Sequence, residues 1–185
     1  MIFQIFNRDI LKILTVFSLS PGSRFSRDDL KKKTLMNNVP LDNALNTLIN
    51  SKIIRKNKRL LQLDLKEENV KKIIRLVISE YKALKEIPLS VYFSILELIY
   101  HLSKHKNIKV YLFGSYSKLI FNNKSDIDIA IILSSLDKKN INNLVRRIEK
   151  TYKKRIEIHY FSRKFEKQTG DPLVKEIFKN GERLI

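Results

Sequence analysis

Apolar residues recur at two different periods along the chain, and the change of period divides it. In "RDILKILTVFSLS" the residues Ile10, Leu11, Leu14 and Phe17 fall near helical spacing, and in "SRDDLKKK" Ser26 and Asp29 form an S-x-x-D cap signal ahead of a second helix. After the break at "NNVP", the segment "LDNALNTLINSK" sets Leu41, Leu45, Leu48 and Ile49 on one stripe and turns Asp42, Asn43, Asn46, Thr47 and Asn50 outward. "IIRKNKRLLQL" then puts two short apolar runs either side of a basic tip, a hairpin pattern. Helical spacing returns in "ENVKKIIRLVISEYKALKEI", with Val70, Ile73, Ile74, Val77 and Ile78 on one stripe, and in "SVYFSILELIYHLSKHK" after Pro88. From residue 108 the pattern becomes strand "IKVYLF", turn Gly114-Ser115, short helix "YSKLIF", strand "SDIDIAIIL", helix "INNLVRRIEKTY" and strand "KRIEIHYF".

These patterns divide the chain into residues 1–66, a connecting helix over 67–89 and a second domain over 90–185. Three helices and a hairpin in the first part resemble a winged helix-turn-helix domain, whose third helix enters the major groove while the wing meets the backbone. The resemblance implies a nucleic-acid surface of Lys31, Lys32 and Lys33 on the second helix and Arg55, Lys56, Lys58 and Arg59 at the wing, all suited to phosphate. Asn43 and Asn46 on the third helix are the side chains available to base edges. The other reading of the same surface is a protein-protein or dimerisation unit with a solvated basic face.

Charge supports attraction to polyanions. The chain carries 37 Lys and Arg against 19 Asp and Glu, a net charge of +18. The excess is spread: residues 1–66 hold 13 basic and 5 acidic residues, net +8, and the remaining 119 hold 24 and 14, net +10. There is no cysteine, which excludes disulfides, thiolate metal sites and cysteine nucleophiles. The opening "MIFQIF" meets Arg8 and Asp9 too soon for a signal-peptide core, and no apolar run approaches a membrane span. The expectation is a cytoplasmic protein with no membrane partner.

The chemistry concentrates between residues 114 and 157. A tight glycine turn with backbone amides and the Ser115 hydroxyl, opening a short helix, is an anion site suited to triphosphate. Strand alternation sends Asp126 and Asp128 to one face, with α-carbons about 6.5 to 7 Å apart, and Ile127 and Ile129 to the other. That spacing lets both carboxylates hold one magnesium site, an ion that takes one or two carboxylates together with substrate phosphates. Glu157 shares a face with His159 and Phe161, so a strand returning beside the aspartates brings a third acid to the metal. Taken singly, Asp126 reads as a turn residue and Glu157 as an exposed strand residue paired with Lys153 or Arg155. His159 reads as a partly packed strand histidine with nucleotide contact as the alternative. His101 and His105 lack a third ligand for zinc and read as surface residues.

"GSYSKLIFNNKSDIDIAI", with nine residues between Ser115 and Ser125-Asp126-Ile127-Asp128, resembles the signature of the DNA-polymerase-β-like nucleotidyltransferase superfamily, in particular the minimal nucleotidyltransferases. The closing "DPLVKEIFKNGERLI", with Gly181 as a helix stop, is similar to the family's final helix and short strand. The resemblance covers about residues 90–185. It implies a mixed sheet flanked by helices, and so an α+β chain overall: an N-terminal winged helix followed by a nucleotidyltransferase domain. It also implies Mg2+-dependent (or Mn2+-dependent) transfer of a nucleoside monophosphate from a nucleoside triphosphate, with ATP the first candidate, and release of pyrophosphate. Carried over, Gly114, Ser115, Lys118 and Ser125 hold the nucleotide, while Asp126, Asp128 and Glu157 bind metal and carry catalysis. Lys118 stands where the family often has arginine, and Leu119 stands where it usually has a second glycine. The partners expected are the triphosphate, duplex DNA or RNA, and a protein acceptor or a second copy of the chain. The competing function is a DNA-binding regulator or antitoxin-like partner whose nucleotidyltransferase domain binds nucleotide with little turnover.

Overall fold

The computed structural model describes residues 7–84, 87–105, 107–133, 138–162, 164–165 and 170–185. The apolar opening of the chain, residues 1–6, lies outside them. The chain divides into two compact units, Met1–Ala83 and Leu84–Ile185. It is an α+β protein, with helices and a three-stranded antiparallel sheet first and a mixed four-stranded sheet flanked by helices second.

The first unit runs α1 (Arg8–Ser18), β1 (Phe25–Ser26), α2 (Arg27–Thr34), α3 (Asn38–Asn50), β2 (Ile54–Asn57), β3 (Leu60–Leu63) and α4 (Glu68–Ala83), with strand order β1-β3-β2. The cap signal is realised in full: Ser26 Oγ accepts from the Asp29 amide at 3.1 Å, and Asp29 Oδ2 accepts from the Ser26 amide at 2.9 Å. Helix α3 differs from the expectation. "NNVP" does not precede it but forms its start, because Pro40 sits in the first turn, where no amide donor is needed. The two-residue strand β1 is also new, fixed by Phe25 and Ser26 pairing with Leu61 and Leu60. Apolar stripes close the core: α1 packs against both α3 and α4, and Leu11, Leu14 and Phe17 of α1, Leu41, Leu45 and Leu48 of α3 and Val70, Ile74 and Val77 of α4 are buried.

The second unit runs α5 (Leu89–Leu102), β4 (Lys109–Phe113), α6 (Gly114–Ser117), β5 (Ile127–Ile132), α7 (Lys138–Tyr152), β6 (Ile156–Phe161), α8 (Pro172–Asn180) and β7 (Glu182–Arg183). The sheet order is β6-β5-β4-β7, with β5 and β6 parallel and the other pairs antiparallel. On one face of β5, Ile127, Ile129 and Ile131 are completely buried. On the other, Ala130 and Ile132 join Phe113, Phe165, Val174 and Ile177 in a core that includes α8. Asp128 begins that second face, so the same strand that builds the core carries the acid at its end.

Gly181 stops α8 as the sequence suggests, but not in the left-handed conformation common to helix-ending glycines. Its backbone is extended (φ −77°, ψ 137°), and a methyl group there would fall well inside contact distance of the Ile177 carbonyl oxygen. Gly181→Ala is therefore expected to destabilise the protein by about 1–3 kcal/mol through overpacking against backbone, read as a lower melting temperature.

Candidate active site

Two adjacent parallel strands bring the principal acids together. Asp128 of β5 is in register with Glu157 of β6, so the two side chains emerge side by side, and the antiparallel partner of Asp128 on β4 is Phe113. The chain turns immediately after Phe113. Gly114 adopts φ +70°, and a β-carbon there would collide with the Asp128 carboxylate, so both conformation and close approach demand glycine. The turn sets the Ser115 backbone amide to donate a hydrogen bond to Asp128.

Burial is the main influence on Asp128 and pushes its carboxyl above the ordinary value; the Glu157 carboxylate pushes the same way, and Asp126 adds to it. His159 and the Ser115 amide oppose the shift. Repulsion of this kind is what a cation would relieve.

The remaining residues are placed as follows. Asp126 lies just ahead of β5, with Oδ2 3.5 Å from the Arg155 guanidinium. Ser125 closes a turn by accepting from the Asn122 amide at 2.9 Å. Lys118 Nζ meets Glu176 Oε1 of α8 at 2.5 Å, and Lys118 holds that carboxyl below its usual range. His159, read from the sequence as a strand histidine, stands beside the acids with Nε2 3.3 Å from Glu157 Oε1. Asp128, Glu157 and His159 have ligand atoms within 4.8 Å of one another, a donor set that fits a divalent cation. Its i, i+2 spacing from Glu157 on a strand was the signal for His159 in the sequence.

Helix α6 is shorter than the segment "YSKLIF" suggests. It spans Gly114–Ser117, and Leu119 follows it in the left-handed region at φ 59°. An exposed leucine in that conformation carries about 1–2 kcal/mol of backbone strain. Glycine at position 119 costs no helix, contrary to the cost expected of an internal helical residue. Leu119→Gly is expected to raise stability by about 0.5–1 kcal/mol, the strain relieved less the entropy of glycine, measurable by denaturant titration.

The family model described as "Polymerase beta, Nucleotidyltransferase" matches residues 97–185, from within α5 to the last residue. Residues 97–185 form a Pol beta nucleotidyltransferase domain. Domains of this kind use divalent metals, in keeping with the carboxylates at the mouth of β5. The match thus covers the second unit from residue 97 onward and leaves out its residues 84–96. The chain has no significant match among curated proteins. Among the described residues, no helix is long and apolar enough to cross a membrane.

The basic residues of the first unit are arranged less uniformly than their sequence suggests. Lys31, Lys32 and Lys33 occupy the last turn of α2, with Lys33 Nζ 5.6 Å from the Phe25 ring centroid. Asn43 and Asn46 are exposed on α3, and Asp42 beside them is held by Arg27 through contacts of 2.6 and 2.9 Å. Arg55 is committed to the buried Asp64. Lys56 is exposed on β2, while Lys58 and Arg59 form the hairpin tip and line a cleft of about 420 Å³ with Arg24, Asn57 and Leu60. Arg24 was not singled out in the sequence, because only the fold brings it beside the tip.

Proposed function

We propose that the protein is a divalent-metal-dependent nucleotidyltransferase that moves a nucleoside monophosphate from a nucleoside triphosphate, ATP first among candidates, to a hydroxyl-bearing acceptor. The observation that carries this reading is the meeting of Asp128 and Glu157 in register beside the Gly114 turn, with the Asp128 carboxyl pushed up by burial and by its acidic neighbours. Asp126, Asp128 and Glu157 would hold Mg2+ or Mn2+, which when bound supplies positive charge to the triphosphate. Gly114 lets the Asp128 carboxylate press against the turn, and Ser115, whose amide holds Asp128, would offer its hydroxyl to phosphate. Lys118 serves as a point charge at the edge, steadied by Glu176. In the transfer the acceptor oxygen attacks the α-phosphorus, the bond to the bridging oxygen breaks and pyrophosphate leaves. Glu157 is the carboxylate assigned to take the hydroxyl proton.

Incubation with α-labelled triphosphates, Mg2+ or Mn2+ and cell extract tests this reading, with label expected in RNA or protein for the wild type and not for Asp126→Asn or Asp128→Asn. Wild-type transfer by both variants would remove the metal assignment.

For the first unit we propose a winged-helix role in binding duplex nucleic acid, supported by the carboxylate-free cleft at the hairpin tip and the α1-β1-α2-α3-β2-β3 element order. Arg24→Ala with Lys58→Ala and Arg59→Ala is expected to weaken DNA binding across sequences and to flatten its salt dependence, which several phosphate contacts make steep between about 50 and 200 mM salt. Arg55→Ala is expected to act differently. It strands the buried Asp64 charge, costing stability of about 3–5 kcal/mol at most, reduced because Arg55 is half exposed. DNA binding with no label transfer under any condition would favour the regulator reading.

A further inference from the structure

Resting on the reading of Asp128 and Glu157 as metal carboxylates, we propose that His159 is a direct ligand of the same metal and that its imidazole biases the site toward Mn2+ and Co2+ over Mg2+. Strand alternation sets His159 on the Glu157 face of β6, and its register partner on β5 is Ala130, the smallest side chain there. No bulky β5 side chain in that register separates the imidazole from Asp128, two residues earlier. The ring lies edge-on to the buried Phe113, with centroids 5.3 Å apart and planes at 70°. That contact orients the imidazole without using a nitrogen. Nε2 is the atom turned to Glu157, 3.3 Å from Oε1, and the three residues' ligand atoms lie within 4.8 Å of one another.

A cation about 2.1 Å from each donor needs donors about 3 to 4 Å apart, so small inward shifts close this cluster on one ion. Asp126 lies outside that 4.8 Å group, beside Arg155, though near enough to push the Asp128 carboxyl up. The nearest donor set is therefore two carboxylates and a nitrogen. Magnesium favours oxygen donors, whereas affinity of a mixed nitrogen-oxygen site rises from Mn2+ to Co2+.

The test uses the full chain with the metals alone. Electron spin-echo spectroscopy of bound Mn2+ reads directly coordinated nitrogen, and calorimetry reads affinity for Mg2+, Mn2+ and Co2+ in wild type, His159→Gln and Asp128→Asn. The expected result is a ¹⁴N modulation in wild type that disappears in His159→Gln. That variant should bind Mn2+ and Co2+ about 10- to 100-fold more weakly, with Mg2+ falling less than about threefold. Bound Mn2+ without nitrogen coupling in wild type overturns the proposal with no variant required, so a folding failure of His159→Gln cannot shelter it. An equal loss for Mg2+ and Co2+ also overturns it, because His159 would then act by orienting Glu157. No metal binding by wild type, or unchanged binding by Asp128→Asn, would instead remove the underlying carboxylate reading and the proposal with it.

Discussion

Gly114→Ala is expected to lose stability and nucleotidyl transfer together. At φ +70° an alanine carries strain of about 1–3 kcal/mol, and its methyl group would displace the Asp128 carboxylate. Moving a positioned group by about an ångström costs on the order of a hundredfold in rate, so transfer should fall at least that far. A double-mutant cycle separates the two effects. With Asp128→Ala in the background the carboxylate collision is gone and only a tight contact with the remaining β-carbon at 3.2 Å is left, so Gly114→Ala should cost little beyond its backbone strain, leaving a coupling of about 1 kcal/mol or more between the positions. Additive stabilities would show that the turn and the carboxylate do not press on one another.

Asp128→Asn is expected to separate activity from stability. Transfer should fall on the order of a thousandfold or more, while the metal-free variant melts above wild type at neutral pH. The sign follows from linkage. Asp128 has a raised pKa in the folded state, so the fold binds its proton more tightly than the unfolded chain does. It therefore loses stability as pH climbs from the ordinary carboxylate value through the raised one, and the full cost is present above that window. Asparagine keeps the volume and an acceptor for the Ser115 amide but removes the charge. The advantage should vanish in acid, below the ordinary carboxylate value, and shrink when saturating divalent metal stabilises wild type by binding. A variant that melts lower at every pH would mean that the carboxylate is already compensated within the fold.

The residues that could be read directly are those whose placement depends on local rules. Alternation alone put Asp128 and Glu157 on the faces they occupy, and the Ser26–Asp29 capping box followed from spacing within four residues. What escaped depends on contacts between distant segments. Strand β1 exists because two residues pair with β3 some 35 positions later. Arg55 reads as a free wing cation until Asp64 is found buried behind it. The role of His159 depends on Ala130 and Phe113, which belong to two other strands. Leu119 was legible as a departure from a family pattern but not as a left-handed residue, since nothing in "YSKLIF" ends a helix after Ser117. Gly181 was legible as a stop, while its cause, the approach of the Ile177 carbonyl, belongs to packing.

The central claim is that this carboxylate cluster drives transfer of a nucleoside monophosphate. Its most direct test is pyrophosphate release measured alongside incorporation of α-labelled monophosphate, for wild type, Asp128→Asn and Glu157→Gln with Mg2+ or Mn2+. The account predicts one pyrophosphate per label incorporated by wild type and neither product from the variants. Undiminished incorporation by both variants, or release of orthophosphate in place of pyrophosphate, would contradict it.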